Sequence, residues 1–217
     1  GKQAISQAIQ ELSVYAYVLP QLHYTNTLVA QAGFVPLQNA PFKGYFVSEV
    51  IRLFRNSPEI RFQFCVHETI FPSLHGKEVI PLPAAIHHLQ EEKGTIPQKQ
   101  EYYFRLSLKN IEQYPAYAKS YNDVATYYHA FKNDQETALA YCQKAVALEP
   151  TNKENLLNLS YRLRELQRYD EALEIGQKAL ALGIDERGLR ALGFLYYLRK
   201  QYADALKMYQ AIIDHNF

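Results

Sequence analysis

Ser120-Tyr121-Asn122-Asp123-Val124-Ala125-Thr126-Tyr127-Tyr128, a polar turn, and then Ala138-Leu139-Ala140-Tyr141-Cys142-Gln143-Lys144-Ala145-Val146-Ala147-Leu148-Glu149-Pro150 form one unit of a pattern. A second unit runs Asn155-Leu156-Leu157-Asn158-Leu159-Ser160 through Leu163, then Tyr169-Asp170-Glu171-Ala172-Leu173 and Lys178-Ala179-Leu180-Ala181-Leu182. A third, looser unit has Leu192-Gly193-Phe194-Leu195-Tyr196, then Tyr202-Ala203-Asp204-Ala205-Leu206 and Met208-Tyr209. The register can be counted. Ala138 to Ala172 is 34 residues, Ala145 to Ala179 is 34, and Ala172 to Ala205 is 33, a one-residue slip assigned to the turn around Gly183. Small residues at fixed sites let paired helices approach closely, while Leu and aromatic residues fill the space between them. One such unit cannot bury its apolar face alone, so the units must stack.

A period of about 34 with small residues at two sites and Pro closing the unit resembles the tetratricopeptide repeat. The fold class expected is α+β: a small β-containing segment, then an all-α solenoid of helix-turn-helix repeats. The expected division is 1–95 for the α+β segment and 96–217 for a capping helix plus three repeats.

Composition bounds the function. The chain has 217 residues, 48% of them hydrophobic, with 23 Lys and Arg against 22 Asp and Glu, a formal charge of +1. That balance offers no global pull toward nucleic acid or an anionic membrane. No apolar run approaches the roughly 20 residues of a membrane span. Cys65 and Cys142 lie in different regions, and Cys142 reads as a buried free thiol. A reducing, cytoplasmic setting is expected. A chain opening on Gly1-Lys2 without Met reads as a piece of something longer.

In the front segment, the apolar spacing from Gln3 to Leu12 predicts a helix. Ser13–Leu19 reads as a strand ending at Pro20, Tyr45–Phe54 and Ile60–His67 as a hairpin, and Glu78–Leu89 as a strand near an edge, interrupted by Pro81 and Pro83. Residues 26–41 read as loop, 91–97 as a polar linker, and Gln98–Gln113 as a helix covering the first repeat.

The run Arg52-Leu53-Phe54-Arg55-Asn56-Ser57-Pro58-Glu59-Ile60-Arg61-Phe62, followed by Val66-His67-Glu68, resembles the carboxyl-side half of the catalytic domain in bacterial family-two glycosyltransferases of the GT-A type, some of which carry tetratricopeptide repeats next. Ile86-His87-His88-Leu89 stands where that family has a strand ending in His. The resemblance implies that His67 binds a metal (Mg²⁺ or Mn²⁺) or the diphosphate. It implies that Glu68 orients that group or faces the acceptor, that Arg52 neutralises phosphate, and that His88, the match to the family's strand-end His, belongs with Arg52 to the cofactor-binding set. The bland alternative is a polar strand end in water. The family's Asp-x-Asp pair is missing, and Asp is absent before Asp123. The chain is therefore expected not to transfer sugar alone and to need no cofactor of its own. Consecutive His87 and His88 cannot easily chelate one ion, and no Cys pair has zinc spacing.

Register places Lys119, Asn122, Thr126 and His129 of the first repeat on the concave face, Glu154, Leu157, Tyr161 and Arg164 of the second, and Arg187, Arg190, Phe194 and Tyr197 of the third. A clamp for a peptide carboxylate is disfavoured, since only Asn122 fits one. Asn122, Tyr161, Arg164, Arg190, Phe194 and Tyr197 form the candidate groove for a protein or peptide, because Tyr and Arg are common interface anchors. The alternative is that these aromatics only pack the solenoid. Self-association through an uncapped carboxyl-terminal end is a further expectation. The rival to the enzyme-tail reading is a non-enzymatic scaffold with a private β domain.

Overall fold

The computed structural model describes residues 2–26, 33–89 and 97–215. It divides into two compact units, Gly1–Gly94 and Thr95–Phe217. The chain is a small β segment followed by a run of helices.

The first unit opens with helix α1 (Lys2–Gln10). Its sheet is built on strand β1 (Ala16–Thr25), which runs well past Pro20. Strand β3 (Gly44–Phe54) pairs antiparallel with β1, and the short β2 (Phe34–Pro36) pairs with the start of β3. Two short strands, β4 (Val79–Pro81) and β5 (Ile86–Leu89), lie parallel to β1 on its other flank. Pro20 is tolerated in this central strand for a local reason. Val18 turns its carbonyl to that flank, where Leu82 N–H donates to it at 2.9 Å. Two residues on, Pro20 faces the same way. There β4 pairs with residues 16–18 and β5 with 21–24. The missing N–H falls in the gap between the two short strands and costs no ladder bond.

Three expectations are corrected here. Ile60–His67 is not a strand, and the hairpin with Tyr45–Phe54 does not form: β3 pairs with β1 instead. Phe64 (φ 73°) and His67 (φ 54°) take left-handed backbone, which no strand accommodates. The segment folds as a loop pinned by buried Ile60, Val66, Ile70 and Leu74, with one isolated bridge between Gln63 and Thr69. Residues 78–89 form two strands rather than one. Part of the expected loop at 26–41, Phe34–Pro36, is a strand; residues 27–32 and residues 91–96 of the expected linker lie outside the described residues.

The second unit contains α2 (Pro97–Gln113), α3 (Ala118–Tyr127), α4 (Gln135–Leu148), α5 (Lys153–Glu165), α6 (Tyr169–Ala181), α7 (Glu186–Leu198) and α8 (Tyr202–Asp214). A π-helical turn, Tyr128–Lys132, extends α3. Helix α2 packs on α3 as expected. Phe104 stacks on Tyr127 with centroids 4.0 Å apart, and Asn110 Nδ2 donates to Ser120 Oγ at 2.6 Å. The small residues sit where helices meet: Ala138, Ala145, Ala172 and Ala179 are fully buried. The helix pairs α3–α4, α5–α6 and α7–α8 turn over in the same way. Asn133, Gln167 and Lys200 each take positive φ at the turn. In the last two, Arg168 N–H reaches back to Leu163 O and Gln201 N–H to Tyr196 O, each at 2.9 Å, the signature of a left-handed helix stop. Asn152 and Asp185 cap α5 and α7, accepting from backbone N–H groups one turn in. None of the described helices is long and apolar enough to cross a membrane.

Candidate partner-binding face

Helices α5 and α7 supply the aromatic and cationic groups of the groove. Tyr161 and Arg164 lie one turn apart near the carboxyl end of α5, and Arg190 and Phe194 stand likewise on α7. Arg164 is held between two rings, 5.4 Å from the Tyr161 centroid and 5.3 Å from that of Phe194. Such cation–ring contacts fix the guanidinium without neutralising it. Its ion partner is Glu165, at 2.5 Å. Arg187 also lies over Tyr161, at 5.5 Å, and pairs with Glu154. Burial works against the charge of Arg187, but Glu154 and Tyr161 outweigh it and hold its pKa above the usual range. Arg190 pairs with Glu186 one turn back on its own helix.

Tyr161, Arg164, Arg190 and Phe194 line a cleft of about 470 Å³, completed by Ala191 and Tyr209. Tyr209 belongs to α8, outside the set of positions that register assigns to the concave face. It reaches the cleft because Gly193 stands opposite: a Cβ there would lie 3.0–3.2 Å from the Tyr209 ring. A Gly inside a helix, where the preceding repeat has Ser160, was the available signal. Phe194 is 39% exposed and Tyr197 56%, with the two rings parallel 6.4 Å apart. Tyr197 leans on Tyr202 (5.8 Å) and does not line the cleft.

Two positions assigned to the concave face are buried. Leu157 is 1% exposed and belongs to the packing between repeats. Asn122 is 8% exposed and spends its Nδ2 on Asn155 Oδ1 at 2.7 Å, tying the first repeat to the second. Of the others, Lys119 pairs with Asp123 (3.2 Å), Thr126 is exposed, and His129 lies in the π-helical turn, its Nδ1 2.8 Å from Gln135 Oε1.

In the first unit, Arg52 is exposed on β3, while His67 and Glu68 are exposed in the loop after Val66. His88, on β5, stands opposite His23 of β1, and the two rings meet edge to face at 5.1 Å. Arg52 falls at the irregularity opposite Tyr17 and Val18. Five residues of strand, about 17 Å, therefore separate the Arg52 and His88 levels, and the sheet does not bring them together. Among the described residues no three His, Cys, Asp or Glu side chains converge to hold a metal ion.

No curated protein matches the chain. The sequence pattern of the tetratricopeptide repeat family matches residues 156–184. Among solved structures, a "Crystal structure of MamA" is similar over 53% of this chain and 67% of its own, at 16% identity and TM-score 0.49. "MamA RS-1 ArsTM double mutant" is similar over 54% and 66%, at 15% identity and TM-score 0.49. "MamA AMB-1 P212121" is similar over 51% and 60%, at 22% and 0.44. The chain thus spans about two thirds or less of the chains it matches. What these findings establish is a tetratricopeptide repeat set in a run of helices that follows a small β segment.

Proposed function

We propose that the chain is a protein-interaction module whose concave face binds a segment of a partner protein in the cleft between the second and third repeats. The observation that carries this is Arg164, fixed between Tyr161 and Phe194 at the edge of an open 470 Å³ cleft. Desolvated arginines braced by rings are typical interface anchors, and the aromatic walls suit an apolar or aromatic side chain beside an acidic one. Selection of displayed random peptides on the chain tests it. Enriched peptides should carry an aromatic next to Asp or Glu, and Arg164→Ala or Phe194→Ala should weaken them at least about tenfold. Enriched peptides that bind both variants unchanged would sink the reading. Self-association through α8 is part of the same proposal, since Tyr202, Leu206 and Ile213 stand outward at 59%, 67% and 70% exposure.

A second reading, that residues 1–95 are the tail of a glycosyltransferase domain, is favoured by one observation. Beyond the three residues paired with β2, the outer edge of β3 from Val47 to Phe54 has no partner strand among the described residues. An open edge in mid-sheet suits a sheet that continues in another segment. Calorimetric titration of nucleotide sugars with Mg²⁺ or Mn²⁺ should then show binding to a chain extended upstream and none to these 217 residues. Silence from the extended chain would leave the scaffold reading alone.

A further inference from the structure

The first unit holds a cleft of about 570 Å³, bounded by the carboxyl end of α1, the start of β1 and the turn Arg55–Glu59 that follows β3. Sites for small ligands commonly have about this size, with apolar walls and a few fixed polar groups. Here the apolar part comes first. Val14 and Tyr17 are buried, at 3% and 6% exposure. Tyr17 Oη donates to Ala8 O at 2.9 Å, which pins α1 to the strand and leaves the ring as apolar surface. Ile9 of α1 and Leu12 just after it also line the cleft, yet they stand 66% and 79% exposed. An aliphatic chain laid on them would remove apolar surface from water, which is favourable in proportion to the area covered.

Arg55 supplies the charge. Its main chain is tied to β1, Arg55 N–H donating to Tyr15 O at 2.9 Å. Its half-buried side chain lies over the Tyr15 ring, 5.1 Å from the centroid, and Nη2 donates to the Glu11 main-chain carbonyl at 3.4 Å. These contacts position the guanidinium without neutralising it. Both carboxylates in the lining are engaged elsewhere. Glu59 pairs with Lys77 at 3.0 Å. Glu11 accepts from Ser13 N–H at 3.2 Å and from Ser13 Oγ at 2.9 Å, and these bonds lower its pKa more than the charge of Arg55 does. Among the described residues no carboxylate forms an ion pair with Arg55. A guanidinium has five donors in a planar fork, and a carboxylate takes two of them at once.

We propose that this cleft binds a medium-chain aliphatic carboxylate, its head on the Arg55 guanidinium and its tail along Ile9, Leu12 and the floor made by Val14 and Tyr17. The two halves of the site select the two halves of the ligand. The exposed apolar residues give a head without a tail little to hold, and a tail without a charged head leaves Arg55 as it is. The cleft belongs wholly to the first unit, so this proposal stands or falls apart from the partner-binding face of the repeats.

The test titrates octanoate, neutral octanamide and acetate into the full chain, followed by ¹⁵N-resolved NMR. Octanoate should move the backbone amide signals of Ile9, Leu12 and Arg55 saturably, octanamide should bind about tenfold more weakly, and acetate should give no saturable shift. Arg55→Gln should weaken octanoate about tenfold and leave octanamide unchanged, a split that a merely structural role for Arg55 would not produce. Leu12→Ser should weaken both tailed ligands alike, by about fivefold. Leu12 is 79% exposed, so this variant decides the matter if Arg55→Gln fails to fold. Equal affinity for octanoate and octanamide, acetate binding as tightly as octanoate, or octanoate affinity unchanged in either folded variant would overturn the site.

Discussion

Cys142 shows how tightly the centre of the solenoid is closed. It is 2% exposed on α4, packed among Leu139, Leu159 and Leu163. Burial pushes its thiol up to about 11, against a smaller opposing pull from the Arg162 guanidinium. The folded state therefore holds the thiol proton more tightly than the unfolded chain does. Its contribution to stability is complete below pH 9 and is lost as pH rises toward 11, because the unfolded state releases its proton first. The loss amounts to about 2–3 kcal/mol at most. Several Tyr titrate in the same window, so the measurement is a difference. Urea unfolding of wild type and Cys142→Ala at pH 8, 9.5 and 11 should show the stability gap narrowing with pH. A constant gap would mean that the thiol is not desolvated. Buried, uncharged Cys142 also matches what its place in the repeat register implied.

At the level of elements, two glycines make opposite predictions. Gly176 of α6 faces α7, and an added Cβ would lie 2.9 Å from Leu192 Cδ2 and 3.3 Å from Ser160 Oγ. Leu192 is 2% exposed and cannot withdraw. Overpacking costs about 1–3 kcal/mol, which exceeds the roughly 1 kcal/mol that Ala gains over Gly inside a helix. An added Cβ at Gly193 of α7 would first meet the Tyr209 ring, at 3.0 Å, and Tyr209 is 37% exposed, with room to swing out. Chemical denaturation should find Gly176→Ala destabilised by about 1 kcal/mol and Gly193→Ala within about 0.5 kcal/mol of wild type. These contacts explain why the helices were legible. Small residues repeat at one spacing in successive units, so each unit confirms the next. The sheet offered no such redundancy. Ile60–His67 carries the apolar, aromatic composition of a strand, yet Phe64 and His67 adopt left-handed backbone that composition does not encode. Pro20 looked like a strand end because the gap between β4 and β5 that tolerates it is a tertiary fact. At the groove, Tyr161, Arg164, Arg190 and Phe194 were legible from helix period. Tyr209 was not, because it reaches the cleft from the other helix of its pair.

For the molecule as a whole, stability is arranged along the chain. In the second unit each helix packs mainly on its neighbours in sequence, and the first unit has its own core around Val14, Tyr17, Leu19 and Leu82. Stacked repeats contribute local terms and nearest-neighbour terms, so the helical unit is expected to fold by itself. The last helix carries the consequence. On α6, Tyr169, Leu173 and Leu180 lie in the main core under α7. The equivalent Tyr202, Leu206 and Ile213 of α8 stand exposed. Residues 95–217 expressed alone should keep their helical circular dichroism and unfold with a Tm within a few degrees of the full chain. In sedimentation they should associate as concentration rises, since a continuous apolar stripe in water drives pairing. Leu206 and Ile213 are exposed and belong to none of the buried clusters, so Leu206→Lys with Ile213→Lys should leave Tm nearly unchanged while abolishing the association. A fragment that is unfolded alone would show that the two units stabilise each other. A fragment that folds but stays monomeric at every concentration would remove self-association from the functions proposed for α8 and leave the concave face as the binding surface.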